Sequence, residues 1–289
     1  MSVGRLAEGA QRRALALLLL CHVNGAGVLV LLKFTPVGPV TTAFWRLLLA
    51  LPLLVRPGTM LPPRREWGVV LACGLLFGLD LAFWYRALQQ TSLVNATLLI
   101  NLYPALVALL AWPMLKQRPT RRFWLGFAVT LAGGIVIVGQ PALLPTGAMG
   151  DAQAVAAAFV YSLYFVFVAR LSATYGAATA LLWTNAAAVP WLAGLALLFG
   201  ETITLPMGWA MWPVVAISLS SILGQWLFTY AMARLPAALA ALTSHLGAPL
   251  AALAGWLAWG QPVGWHHLIG GGAIILGLSL AKGQSVKAE

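Results

Sequence analysis

Long apolar runs, interrupted at short intervals by turn residues, recur along nearly the whole chain. Each run holds about 20 residues, the length a helix needs to cross the hydrocarbon core of a bilayer. The pattern predicts ten spans, roughly 14–32, 38–55, 67–88, 91–112, 123–139, 151–170, 177–199, 209–232, 236–258 and 264–281. The breaks carry turn chemistry: RPGTMLPP begins at Arg56 and QPALLPTG begins at Gln140. With loops this short, consecutive helices are antiparallel neighbours. The runs are continuous rather than alternating, which argues against barrel strands.

Composition strengthens this reading. Of 289 residues, 61% are hydrophobic and only 8% are charged, against about 25% charged in an ordinary soluble domain. The expected fold class is an all-α integral membrane protein without a separate soluble domain. The net charge of +11 would point to nucleic acid in a soluble protein. With the N-terminus in the cytoplasm, however, all of the 17 Lys and Arg except Lys33, Arg46 and Arg86 fall in cytoplasmic segments. That bias sets the orientation, with both termini inside. The basic loops then meet anionic lipid headgroups, and no nucleic-acid partner is needed. Arg12 and Arg13 precede an apolar run that no small-residue cleavage pattern closes, so the run is expected to remain as a span. A multi-pass protein of a bacterial inner membrane fits these features. Cys21 and Cys73 lie inside apolar runs, without CxxC or zinc spacing, and read as small hydrophobes.

The chain also repeats itself. Ala87 and Ala231, Gln117 and Gln261, Gly126 and Gly270, and Gly133 and Gly277 are each 144 residues apart. Trp45 and Trp183, and Pro52 and Pro190, share an offset of 138. Each half therefore holds five spans, residues 1–140 and 141–289. An odd number of spans makes the second half enter the membrane from the opposite side. The expected architecture is two inverted five-helix repeats around a central cavity, an arrangement common among secondary transporters.

The stretch YRALQQTSLVNATLLINLYP from Tyr85 to Pro104, followed by a short basic loop and then Gly126 and Gly133-Gly134, resembles the EamA-type module of the drug/metabolite transporter superfamily. The second half repeats it more loosely from Tyr230 through Pro249 to Gly277. One departure stands out. Members of that family usually carry Glu in the loop after the fourth and ninth helices, where this chain has Gln117 and Gln261. The resemblance implies a ten-helix basket that moves small metabolites, often outward.

Ionisable groups inside apolar spans are costly and need a reason. Arg46, Asp80 and His245 are three of them. In the second and third spans, Arg46 and Asp80 each lie eight residues from the outer end, roughly 12 Å deep at 1.5 Å per residue. At matched depth on adjacent helices they are expected to meet. Two readings follow: a buried salt bridge that fixes packing, or a cavity-facing pair for a zwitterionic solute or for proton exchange. Trp84 follows Asp80 by four residues on one helix face and would help hold a cation. Asn101, Tyr161, Trp183, Gln225 and Trp226 supply further amide and aromatic contacts, and Asn24 sits mid-span in NGAG. Asp80 and His245 are the candidate proton-coupling groups.

The candidate function is secondary transport by alternating access, with export of a small metabolite such as an amino acid as the expected activity. Efflux of cationic or lipophilic drug-like compounds, held by Asp80 and Trp84, is the alternative. The chain shows no Walker A sequence, no HExxH and no GxSxG, so neither ATP coupling nor an enzyme is expected, and no cofactor or metal site is read.

Overall fold

The computed structural model describes residues 3–32, 34–55, 61–91, 93–138, 147–204, 207–260 and 262–282. Lys33, Gln140 and Gln261 lie outside them. The regular structure among the described residues is helical, without a strand. The helices are α1 (Val3–Leu32), α2 (Pro39–Leu48), α3 (Leu51–Leu54), α4 (Trp67–Gln90), α5 (Leu93–Ile100), α6 (Tyr103–Leu115) and α7 (Arg121–Val138), followed by α8 (Ala148–Tyr175), α9 (Ala177–Leu198), α10 (Trp212–Met232), α11 (Ala237–Leu242), α12 (Gly247–Trp259) and α13 (Trp265–Ala281). Among the described residues, six helical stretches are long and apolar enough to cross a membrane. Large apolar side chains such as Leu109, Leu125, Leu257 and Ile269 point outward, as they do when lipid is the solvent.

Three of the expected spans are broken, and each break is next to a proline. Pro52 interrupts α2 and α3, Pro104 opens α6 after the turn at Asn101–Leu102, and Pro249 follows the 3-10 turn Thr243–Leu246 between α11 and α12. Proline has no N–H for the carbonyl four residues back, and its ring crowds that carbonyl. The sequence pattern predicts continuous spans through Pro104 and Pro249, and the structure unwinds a turn beside each. The two breaks meet in the interior: His245 Nε2 donates to the Asn101 carbonyl at 3.0 Å, and the Tyr103 hydroxyl donates to the Ala241 carbonyl at 3.0 Å.

Packing joins the first part of the chain to the second. Helix α7 packs along α13, α4 along α8 and α9, α1 along α10 and α12, and α6 along α8 and α11. At the α7–α13 seam, a Cβ on Gly126 or Gly133 would collide with the Gly277 or Gly270 carbonyl, and the reverse also holds. Absent side chains let the two backbones touch, the close approach that small residues provide in membranes. Gly133→Val should separate this seam and cost about 1–3 kcal/mol, as overpacked sites do. A lowered melting temperature of the purified protein would check it.

Candidate functional site

Helix α1 carries one wall of an interior cavity. Asn24 Nδ2 donates to the Ser220 carbonyl at 2.7 Å, and the Cys21 thiol donates to the Gly224 carbonyl at 3.2 Å. A carbonyl only accepts, so the Asn24 amide nitrogen faces α10 and its oxygen is left for other partners. The close approach depends on Gly224, where an added Cβ would sit 3.0 Å from Asn24 Nδ2. Gly25 and Gly27, the glycines of the NGAG stretch, face open space instead. Cys21 is therefore not a deeply buried hydrophobe, while Cys73 is fully buried.

The cavity measures about 440 Å³. Of the residues singled out from sequence, Asn24, Arg46, Tyr161 and Gln225 line it. Gln225 is held by Asn185 on α9, whose amide donates to Gln225 Oε1 at 3.0 Å. Tyr103, Tyr164, Phe77 and His22 join them at the wall. Rings pass edge and face along this wall: Phe77 to Tyr164 at 5.2 Å, Tyr164 to Tyr161 at 6.1 Å, and Tyr161 to Tyr103 at 5.0 Å. His22 Nε2 donates to Thr243 Oγ1 at 3.0 Å, because the Thr243 hydroxyl gives its own proton to the Ala240 carbonyl. His22 had no signal of its own: a single histidine in an apolar run does not show which side of its helix faces the cavity.

Arg46 is the one Lys, Arg, Asp or Glu at the cavity wall among the described residues. It belongs to the last turn of α2. The break at Pro52 ends that helix early, and a helix C-terminus favours a cation. The guanidinium carbon lies 6.0 Å from the centre of the Phe77 ring. Its Nε is buried and has no hydrogen-bond partner. The other end of α2 is anchored from the loop after α9. Glu201 Oε2 accepts from the Thr41 N–H at 2.7 Å and Oε1 from the Val40 N–H at 3.3 Å, which satisfies two of the free donors at the helix start. A cap supplied from 160 residues away leaves no local pattern to read.

The remaining candidates lie elsewhere. Asp80 is buried behind the wall, and its Oδ1 has no hydrogen-bond partner. It interacts electrostatically with Arg46 and Tyr161. No ion pair within 4.0 Å joins it to Arg46; the ion pairs among the described residues converge on Glu66. The expected contact is therefore not made in this conformation, because matched depth fixes height but not the direction a side chain faces. Trp84 packs with Leu99 against the Ala87, Ala96 and Ala154 cluster. Trp226 stacks on Tyr230 at 5.3 Å. Trp183 lines a separate apolar groove rather than the cavity. Asn101 contributes its backbone carbonyl to His245, and His245 Nδ1 is buried without a partner. Gln117, which stands where members of the resembled family usually carry Glu, accepts from the Ala237 N–H at 2.8 Å and so caps α11. Tyr103→Phe should remove a buried hydrogen bond worth about 1 kcal/mol. Thermal unfolding of the variant would register it as a small drop in melting temperature.

The EamA-like transporter family matches this chain twice, at residues 12–139 and 148–282. The chain belongs to that family. An uncharacterized transporter of Archaeoglobus fulgidus is 28% identical over 186 residues, covering 61% of this chain and 63% of that one. The chain thus spans a little under two thirds of that relative's length. A pseudopaline exporter of Pseudomonas aeruginosa is 27% identical, covering 81% of each chain. A riboflavin transporter of Rhizobium johnstonii is 28% identical, covering 83% of this chain and 79% of that one. A solved crystal structure shares the fold with a TM-score of 0.79 at 20% identity, covering 94% of this chain and 97% of the other. Family membership and these relatives indicate a membrane transporter of small molecules rather than an enzyme.

Proposed function

We propose that this chain is a secondary transporter that exports a small carboxylate-bearing metabolite, such as an amino acid, across a bacterial inner membrane. The carrying observation is Arg46: among the described residues, the one guanidinium on an aromatic cavity wall that holds no Lys, Asp or Glu, with its buried Nε unpartnered. A guanidinium matches a carboxylate in charge and shape. The rings of Phe77, Tyr161 and Tyr164 offer faces to an apolar or aromatic remainder. Asn24 Oδ1 and the Gln225 amide add polar contacts. The relatives named for exporting pseudopaline and transporting riboflavin support a small organic solute.

Two five-helix repeats, residues 1–140 and 141–289, would rock around this site with both termini in the cytoplasm. The double family match supports that division. So does the packing: pairing each first-half helix with its second-half counterpart exchanges the α4–α8 contact with α1–α10, and the α6–α8 contact with α1–α12. In this account Asp80 exchanges the proton, as a buried acid electrostatically coupled to Arg46. His245 instead holds the crossing of the two broken helices. The cationic-drug alternative required Asp80 and Trp84 at the wall, and neither lines the cavity.

Matched aromatic probes test the reading. L-tryptophan and indole-3-propionate should raise the melting temperature of the purified protein, while tryptamine should not. Stabilisation by tryptamine alone would overturn the assignment in favour of a cation.

A further inference from the structure

The expected cavity residue Trp183 leads to a second concavity. Between α3, α4 and α9 lies a groove of about 450 Å³ lined only by apolar residues, among them Val55, Leu61, Trp67, Leu71, Leu182 and Ala186. Trp67 gives its indole N–H to the Pro62 carbonyl at 2.7 Å, so that donor is not offered to a guest. The groove is separate from the central cavity. At the α4–α9 seam, Gly74 sits so close to the Ala187 backbone that a side chain there would collide with it.

The mouth of the groove is basic. Leu61 and Pro62 on one side and Trp67 on the other flank the 3-10 turn Arg64–Glu66. Arg64 is exposed, and the Arg65 side chain is 76% exposed. The one acid of the turn is turned inward: Glu66 is buried, and Arg170 Nη2 at 3.3 Å and the Tyr175 hydroxyl at 3.2 Å donate to it. Arg65 Nη2 donates to the same Tyr175 hydroxyl at 3.1 Å and keeps its stem over the turn. The surface left to a guest is thus an apolar trough beside the exposed Arg64 and an Arg65 whose Nε also lies 3.7 Å from Glu66 Oε1. Charge placement along the sequence puts this end at the cytoplasmic leaflet, where anionic lipid is concentrated.

We infer that the groove is a binding site for one anionic glycerophospholipid, its acyl chain along α4 and α9 and its phosphate at Arg64 and Arg65. A transported solute would be expected to meet several polar groups that read its shape, and the lining of this groove is almost wholly apolar, with the Trp67 N–H already taken.

Native mass spectrometry of the purified full chain tests the site, with palmitoyl-oleoyl phosphatidylglycerol and the matching phosphatidylcholine as probes. The first phosphatidylglycerol should bind at least about fivefold tighter than phosphatidylcholine, the factor that one basic residue near the headgroup supplies. Arg64→Gln, an exposed change, should lower that preference about fivefold. Ala186→Trp, which fills the groove, should remove the tight site. Equal binding of the two lipids by the native chain would overturn the inference. So would unchanged phosphatidylglycerol binding in either variant. None of these readouts depends on the identity of the transported solute.

Discussion

Arg46→Gln should weaken the apparent affinity for a carboxylate solute about 100-fold. Hydrogen bonds to charged groups contribute about 1.5–3 kcal/mol each, and two such bonds to one carboxylate give roughly two factors of ten. The position explains why so large an effect is concentrated in one residue: among the described residues Arg46 is the one Lys, Arg, Asp or Glu on the wall, and its Nε lacks a hydrogen-bond partner. Arg46→Lys should recover part of the loss, since the charge returns without the planar fork. The concentration dependence of the thermal shift given by L-tryptophan, measured on native and variant protein, reads the ratio. Equal dependence in both would remove Arg46 from the site.

Asp80→Asn should separate binding from driven transport. Asp80 does not line the cavity, so equilibrium binding should stay within about threefold of the native chain. It is nonetheless the carboxyl group electrostatically coupled to both Arg46 and Tyr161, with Oδ1 unpartnered in the interior. An amide keeps the shape but cannot exchange a proton. In vesicles, accumulation driven by a pH gradient should fall at least about tenfold, while exchange of internal for external solute persists; a residue whose role is confined to packing would alter both or neither. Retained pH-driven accumulation in Asp80→Asn would assign the proton elsewhere.

Much of the fold was legible because the bilayer imposes simple rules. The apolar runs became helices, and Gly126, Gly133, Gly270 and Gly277, picked out by their spacing, are the residues at which α7 and α13 touch. The breaks were only partly legible. Proline marks a disrupted ladder, but whether the helix bends or unwinds depends on partners such as the His245 to Asn101 bond, which joins distant parts of the chain. The site divided along the same line. Depth along a helix follows from counting, so Arg46 could be placed roughly 12 Å below the outer boundary and Asn24 mid-span. Facing does not follow from counting in helices that are apolar all round. Asp80, Trp84, Trp183 and Trp226 therefore read as cavity residues, although none of the four lines the cavity. Charges held by distant partners were the least legible: Glu201 at the start of α2 and Glu66 between Arg170 and Tyr175 have no local pattern.

The most direct test compares extracellular metabolites from bacteria overproducing the native chain and Arg46→Gln at matched membrane levels. The account predicts that one or a few carboxylate-bearing solutes accumulate outside with the native chain and remain at background with the variant. Equal accumulation with both proteins, or accumulation of cations that carry no carboxylate, would contradict it.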